Sequence, residues 1–144
     1  MPFRPLTFTE LQPLETDMIS FLAMNGITGD DWKKIQIEKP ELSEKWIDSF
    51  SEIVWLKIFS SKRYINVITQ HCNYYYDFLP KEINVVKFEK SEITFDNNIG
   101  FRTLTFTKSR EEDMFDIIEN GGEFSDGKEY KEACLLWANS KIKI

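Results

Sequence analysis

From Pro40 to Phe59 the chain reads PELSEKWIDSFSEIVWLKIF, and its apolar positions recur every three or four residues. Leu42, Trp46, Ile47, Phe50, Ile53, Val54 and Ile58 then share one stripe of a helix, with Glu44, Lys45, Asp48, Ser51 and Glu52 on the other side. Pro40 suits the first helical position, and Glu41 and Glu44 sit near the positive end of the helix dipole. Trp46, Phe50 and Ile53 centre the stripe and are the expected core. From Ile53 to Phe59 the helix is apolar nearly all round, which predicts enclosure by other elements or by a partner.

Upstream, Thr7-Phe8-Thr9-Glu10 has capping-box spacing, but Pro13 favours a helix capped by Gln12 with proline at its first position. Leu14, Met18, Phe21 and Leu22 form its apolar face, and Asn25-Gly26 stops it with a left-handed glycine. A short helix capped by Asp30 follows, with Trp32 and Ile35 inward, and Lys39-Pro40 separates it from the central helix.

After Ser60-Ser61 the period changes. Arg63 to Thr69, Cys72 to Leu79 and Ile83 to Glu89 are rich in β-branched and aromatic residues and read as strands. Proline cannot take the positive φ of a type I′ turn, so Pro80-Lys81 predicts a longer hairpin loop. If Phe78 pairs with Ile83, then Tyr76 faces Val85 and Tyr74 faces Lys87, a mostly apolar face. The other face carries Asn73, Tyr75, Asp77, Asn84 and Val86 and reads as the half-exposed side. Glu92 to Phe95 is a short strand, Asp96 to Asn98 a turn, and Phe101 to Thr107 a further strand. Ser109 then caps a helix with Met114, Phe115, Ile117 and Ile118 on its core side, ended by Asn120-Gly121-Gly122. A last helix begins at Ser125 or Asp126, with Tyr130, Ala133, Cys134, Trp137 and Ile142 as its stripe. Helices, antiparallel strands and helices in that order give a single α+β domain over residues 1–144, with N-terminal helices, a long central helix, a small antiparallel sheet and C-terminal helices.

Composition narrows the function classes. The net charge of −6 disfavours nucleic acid and anionic membrane surfaces, both of which are met by Lys and Arg. No stretch reaches the roughly twenty apolar residues of a membrane span, and the N-terminus lacks a secretory apolar run, so the expected location is the cytoplasm. Cys72 and Cys134 fit no metal-ligand spacing and are expected as reduced thiols.

Candidate chemistry is sparse. Gly122 to Lys128 matches G-x-x-x-x-G-K, but Glu129 replaces the hydroxyl residue that holds magnesium, and Glu123 and Asp126 would repel phosphate. A plain helix–turn–helix connection explains it. His71 is the one histidine, and its neighbour Cys72 would point to the opposite strand face, so they form no nucleophile–base pair. Asp30-Asp31 and Glu111-Glu112-Asp113 stand at helix starts, where negative charge is favourable for dipole reasons. No catalytic residue, cofactor or metal site is assigned, and a non-enzymatic protein is expected.

The strongest binding candidates are two aromatics set away from the expected core faces, Trp55 and Tyr75. Asp48 and Glu52 share the helix side of Trp55, and Asp77 shares the strand face of Tyr75. An aromatic anchor with charge beside it suits a partner surface.

FLAMNGITGDDWKKIQIEKPELSEKWIDSFSEIVWLKIFSS resembles the N-terminal half of a family of small bacterial cytosolic proteins catalogued only as a domain of unknown function. The resemblance rests on Phe21-Leu22-Ala23, Gly26-Ile27, Trp32, Ile35, Pro40, Phe50-Ser51-Glu52 and Val54-Trp55. MFDIIENGGEFSDGKEY resembles a C-terminal segment of the same family at Phe115, Ile118, Glu119-Asn120-Gly121, Ser125, Gly127 and Tyr130. The resemblance implies a fold and a cytosolic home, with no activity to carry over. The expected function is a cytosolic protein-interaction module with a protein partner. The alternatives are an acidic inhibitor of a basic enzyme, or a small enzyme or ligand binder whose site is made from scattered residues.

Overall fold

The structure, a computed structural model, describes residues 3–90 and 98–141. The described elements are α1 (Phe8–Leu11), α2 (Glu15–Met24), α3 (Gly29–Glu38), α4 (Pro40–Ser60), β1 (Tyr64–Ile68), β2 (Cys72–Phe78), β3 (Ile83–Glu89), β4 (Asn98–Leu104), α5 (Arg110–Glu119), β5 (Glu123–Ser125) and α6 (Lys128–Lys141). The fold is α+β. The strand expected over residues 92–95, Asp96 and Asn97 of the expected turn, and Ile142 lie outside the described residues. The chain divides into two compact units, Met1–Lys57 and Ile58–Ile144.

In the first unit both caps differ from the sequence expectation. Thr7 caps α1 with a complete box: its side chain accepts from the Glu10 N–H, and Glu10 accepts from the Thr7 N–H. Pro13 is absorbed by a 3-10 turn over Gln12–Leu14 that leads into α2. A box spanning Thr28 and Asp31 opens α3, so Thr28 takes the place expected for Asp30. Gly26, at φ 78°, follows α2 in the left-handed conformation expected of it.

Helix α4 has the predicted span, but its buried line is rotated. Phe50 is buried as expected and Trp46 half-buried, whereas Ile53 is 51% exposed and Leu56 42%. Ser51 and Trp55, assigned to the outer side, are buried instead. The cause is the segment before α1. The Leu6 N–H donates to Ser51 Oγ at 2.9 Å, and Trp55 Nε1 donates to the Arg4 carbonyl at 3.0 Å. An extended segment brings backbone groups that need partners, so it selects the side of the helix offering a hydroxyl and an indole N–H.

In the second unit the sheet order is β4-β3-β2-β1-β5, antiparallel throughout. The β2–β3 register is the expected one: Phe78 pairs with Ile83, Tyr76 with Val85 and Tyr74 with Lys87. Strand β4 begins earlier than expected, with Asn98 opposite Glu89 and Leu104 opposite Ile83. The residues after it are drawn into the entry of α5, where buried Asp113 accepts from the Thr107 N–H and Oγ1, each at 2.8 Å. Ser109 caps α5 as expected, accepting from the Glu112 N–H.

Strand β5 was not expected at all. Glu123–Ser125 pair with Asn66, Ile65 and Tyr64 of β1 in a connection read as a plain turn. Two glycines make it fit. A Cβ on Gly122 would lie 2.8 Å from the Ile117 carbonyl oxygen, and one on Gly127, at φ 89°, would lie 2.5 Å from the Tyr64 ring. The residues between the glycines of the G-x-x-x-x-G-K match are thus a strand and its exit, not a phosphate-cradling loop.

Candidate binding face

Alternation along the strands sorts the sheet into two faces, and the structure decides which is covered. On one, Tyr64, Asn66, Tyr75, Asp77, Asn84, Val86 and Phe101 lie under α6. Val86, Tyr130 and Ala133 form the buried centre, with Tyr64, Tyr75, Phe101 and Cys134 packed around it. Trp137 lies against Phe101, ring centroids 5.0 Å apart. This is the face read from sequence as half-exposed, and that assignment is corrected. Burial pushes the Tyr130 phenol well above the usual tyrosine range, aided by the neighbouring Cys134 thiol.

The other face is divided along its length. Toward β1 and β5, Ile65 and Phe124 meet Phe59 and α5, with Phe59 5.8 Å from Phe124 and 6.1 Å from Phe115 between ring centroids. Arg110 fastens this end, donating to the carbonyls of Phe59, Lys62 and Phe78. Toward β3 and β4 the face opens into a trough of about 330 Å³, lined by Tyr74, Tyr76, Val85, Lys87, Gly100, Arg102 and Leu104.

The trough is built by cross-strand rows. Val67, Tyr74, Lys87 and Gly100 make one, and Ile65, Tyr76, Val85 and Arg102 the next. The Tyr74 and Tyr76 rings lean the same way, 6.3 Å apart with 20° between their planes. Lys87 Nζ lies 6.0 Å from the Tyr74 centroid and 3.1 Å from Glu89, whose carboxylate holds the ammonium above its usual pKa. Arg102 is exposed and has no ion-pair partner among the described residues. Burial, with Tyr74 adding, pushes the Tyr76 phenol upward, so the trough floor is neutral at ordinary pH.

The expected site residues are placed differently. Trp55 is 8% exposed, and the Arg4 guanidinium carbon sits 5.0 Å above its ring. Asp48 and Glu52 beside it are half-buried. Tyr75 is half-buried beneath α6. Asp77 is 4% exposed and takes two hydrogen bonds from Arg63, at 2.6 and 3.0 Å. The expectation of two open aromatic anchors is therefore corrected. Trp55 and Asp77 serve packing and pairing, and Tyr75 joins the covered core. The missed residues are the alternate tyrosines of the same strand, Tyr74 and Tyr76. Their sequence signal was the register that placed them opposite Lys87 and Val85.

The remaining candidates for chemistry stay apart. His71 is exposed in the β1–β2 turn, and the half-buried thiols of Cys72 and Cys134 lie on opposite sides of the sheet. Among the described residues no group of three or more His, Cys, Asp or Glu is placed to hold a metal ion. A second hollow, about 510 Å³, lies beside β5 and includes Glu123, Asp126 and Glu129 with Lys62. Its carboxylates repel phosphate, as their sequence positions implied. Among the described residues no helix is long and apolar enough to cross a membrane.

Fold and trough together define a small α+β protein whose antiparallel sheet is partly uncovered among the described residues. Residues 1–105 match a family of unknown function (DUF6495), and the chain belongs to that family. The match contains the segment around α2 to α4 that carried the N-terminal resemblance and ends before α5. No curated protein and no solved structure matches the chain.

Proposed function

We propose that this protein is a protein-interaction module and that the trough between Tyr74 and Arg102 is where its partner docks. The observation that carries the reading is the trough itself: two tyrosine rings, an aliphatic floor and two cationic side chains on an uncovered stretch of sheet. Tyrosine and arginine are the residues that most often anchor protein interfaces, because a rigid ring gives contact area at little entropic cost and a guanidinium fixes orientation. A sheet face of this kind also takes an extended segment without rearrangement. The acidic-inhibitor reading has one observation in its favour, the carboxylates around the β5 hollow, but Lys62 stands among them.

The test is selection of peptides from a displayed random library on the wild-type protein, each binder then being re-measured on Tyr74→Ala. A docking trough predicts binders that lose at least about tenfold in affinity on that variant. Binders that all keep full affinity would place the interaction elsewhere.

A further inference from the structure

We infer that the partner segment is an acidic extended peptide that adds as a strand to the outer edge of β4, setting a carboxylate on Arg102 and an aromatic ring over Gly100. The inference rests on the trough being the docking site and specifies what docks there.

Three observations carry it. First, the two sheet edges differ. β5 offers three residues, whereas β4 offers seven, Asn98–Leu104, with no strand on its outer side among the described residues. A long unpaired edge presents a row of backbone donors and acceptors, the template that strand addition uses.

Second, the trough face of β4 carries Asn98, Gly100, Arg102 and Leu104, so its one charge is a cation and its middle is bare backbone. Arg102 is exposed and has no acidic partner among the described residues, and one strand inward Lys87 stands opposite Gly100. In a chain of net charge −6, Arg102 on the β4 edge, with Lys87 and its partner Glu89 one strand inward, selects an anionic neighbour and opposes an acidic segment less than the rest of the chain would. Directly opposed unlike charges on adjacent strands stabilise the pairing.

Third, a Cβ built on Gly100 meets nothing within 4 Å. The space above this edge glycine is open, and a ring from a neighbouring strand that crosses it covers the bare backbone and reaches Lys87 and Tyr74. Because strand side chains alternate, the ring and the carboxylate stand two residues apart in the partner. An acidic residue on both sides of the ring satisfies Arg102 in either strand direction.

The probe is a synthetic peptide, acetyl-Thr-Glu-Thr-Phe-Thr-Glu-Thr-amide, titrated into the full chain and followed by fluorescence anisotropy and by backbone amide shifts. The expected result is saturable binding with shifts concentrated on residues 98–104. Affinity should fall at least about tenfold for Arg102→Glu and for the peptide with Lys in place of Glu. Alternate N-methylation of the peptide, which removes its strand-pairing donors, should abolish binding. Arg102→Glu folding is checked on the same samples by the unchanged dispersion of the amide spectrum.

Other outcomes separate this inference from the reading beneath it. If library-selected peptides depend on Tyr74 but carry no acidic residues and ignore Arg102→Glu, the trough binds and the acidic strand is wrong. If N-methylated peptide binds as well as the parent, edge addition is wrong. A concentration-dependent dimer that Arg102→Glu dissociates would make the occupant of β4 a second copy of this chain and overturn the acidic peptide. If neither selected nor designed peptides bind, both the inference and the docking site fall.

Discussion

The two faces of the sheet carry nearly the same number of aromatic rings, yet one is covered by α6, while the other is core only toward β1 and β5 and opens into a trough toward β3 and β4. Under α6, Tyr75 joins Val86 and Tyr130, and two polar groups on that face are tied off locally, Asp77 by Arg63 and Asn84 by the Thr103 hydroxyl. Asn66 and Asn73, by contrast, each bury a side-chain oxygen that has no partner among the described residues. On the opposite face, at the β3–β4 end, Tyr74 and Tyr76 are half-buried and line the trough with Val85, Lys87, Arg102 and Leu104. The polar-looking face is the one α6 covers, because a helix can lie over polar residues that find local partners, as Asp77 and Asn84 do. Polarity by itself therefore does not identify the solvent side of a sheet.

The largest effect that would sharpen this contrast is Tyr130→Ala. Emptying a buried aromatic site on the covered face should cost roughly 3–5 kcal/mol in urea denaturation. A loss below about 1 kcal/mol would mean that α6 does not seal that face. Next comes Arg63→Ala, which strands the nearly inaccessible Asp77 carboxylate. The cost of leaving a buried acceptor unpaired is roughly 1–3 kcal/mol, and Asp77→Asn made in the same background should recover part of it.

A smaller, pH-gated effect follows from the phenols. Tyr130 and Tyr76 both titrate above the usual tyrosine range because burial disfavours their charged forms. The unfolded chain ionises at about pH 10. Stability is thus unaffected below that pH and lost as pH rises through the folded-state values. Wild type should lose stability above pH about 10 faster than Tyr130→Phe, and superimposable curves would contradict the buried phenol. Smaller still is Tyr74→Ala on the open face, expected to shift stability by less than about 1 kcal/mol. A cost as large as that of Tyr130→Ala would show the trough to be core.

Much of this architecture can be read from the chain because it is written in local chemistry. The span of α4, the Gly26 stop, the Ser109 cap and the β2–β3 register follow from periodicity, backbone freedom and hydroxyl capping. Selection of faces is different. Whether Ile53 or Trp55 is buried depends on the segment around Arg4 and Leu6, and whether Tyr74 or Tyr75 is open depends on where α6 returns. Both are set by chain far away in sequence, which no window around the residue contains. Strand β5 escaped for a related reason: three residues carry too little pattern, and its evidence is the close fit of Gly122 and Gly127 against β1 and α5.

The central claim is that the Tyr74–Tyr76 face is an open binding surface rather than unfinished core, and Gly100→Leu tests it most directly. The added side chain enters open space at the edge of the trough, so the urea midpoint should stay within about 0.5 kcal/mol of wild type. The same substitution fills the place of the incoming ring, and affinity for a peptide selected on the wild-type protein should drop at least about tenfold. Unchanged affinity, or affinity and stability falling together, would contradict the account.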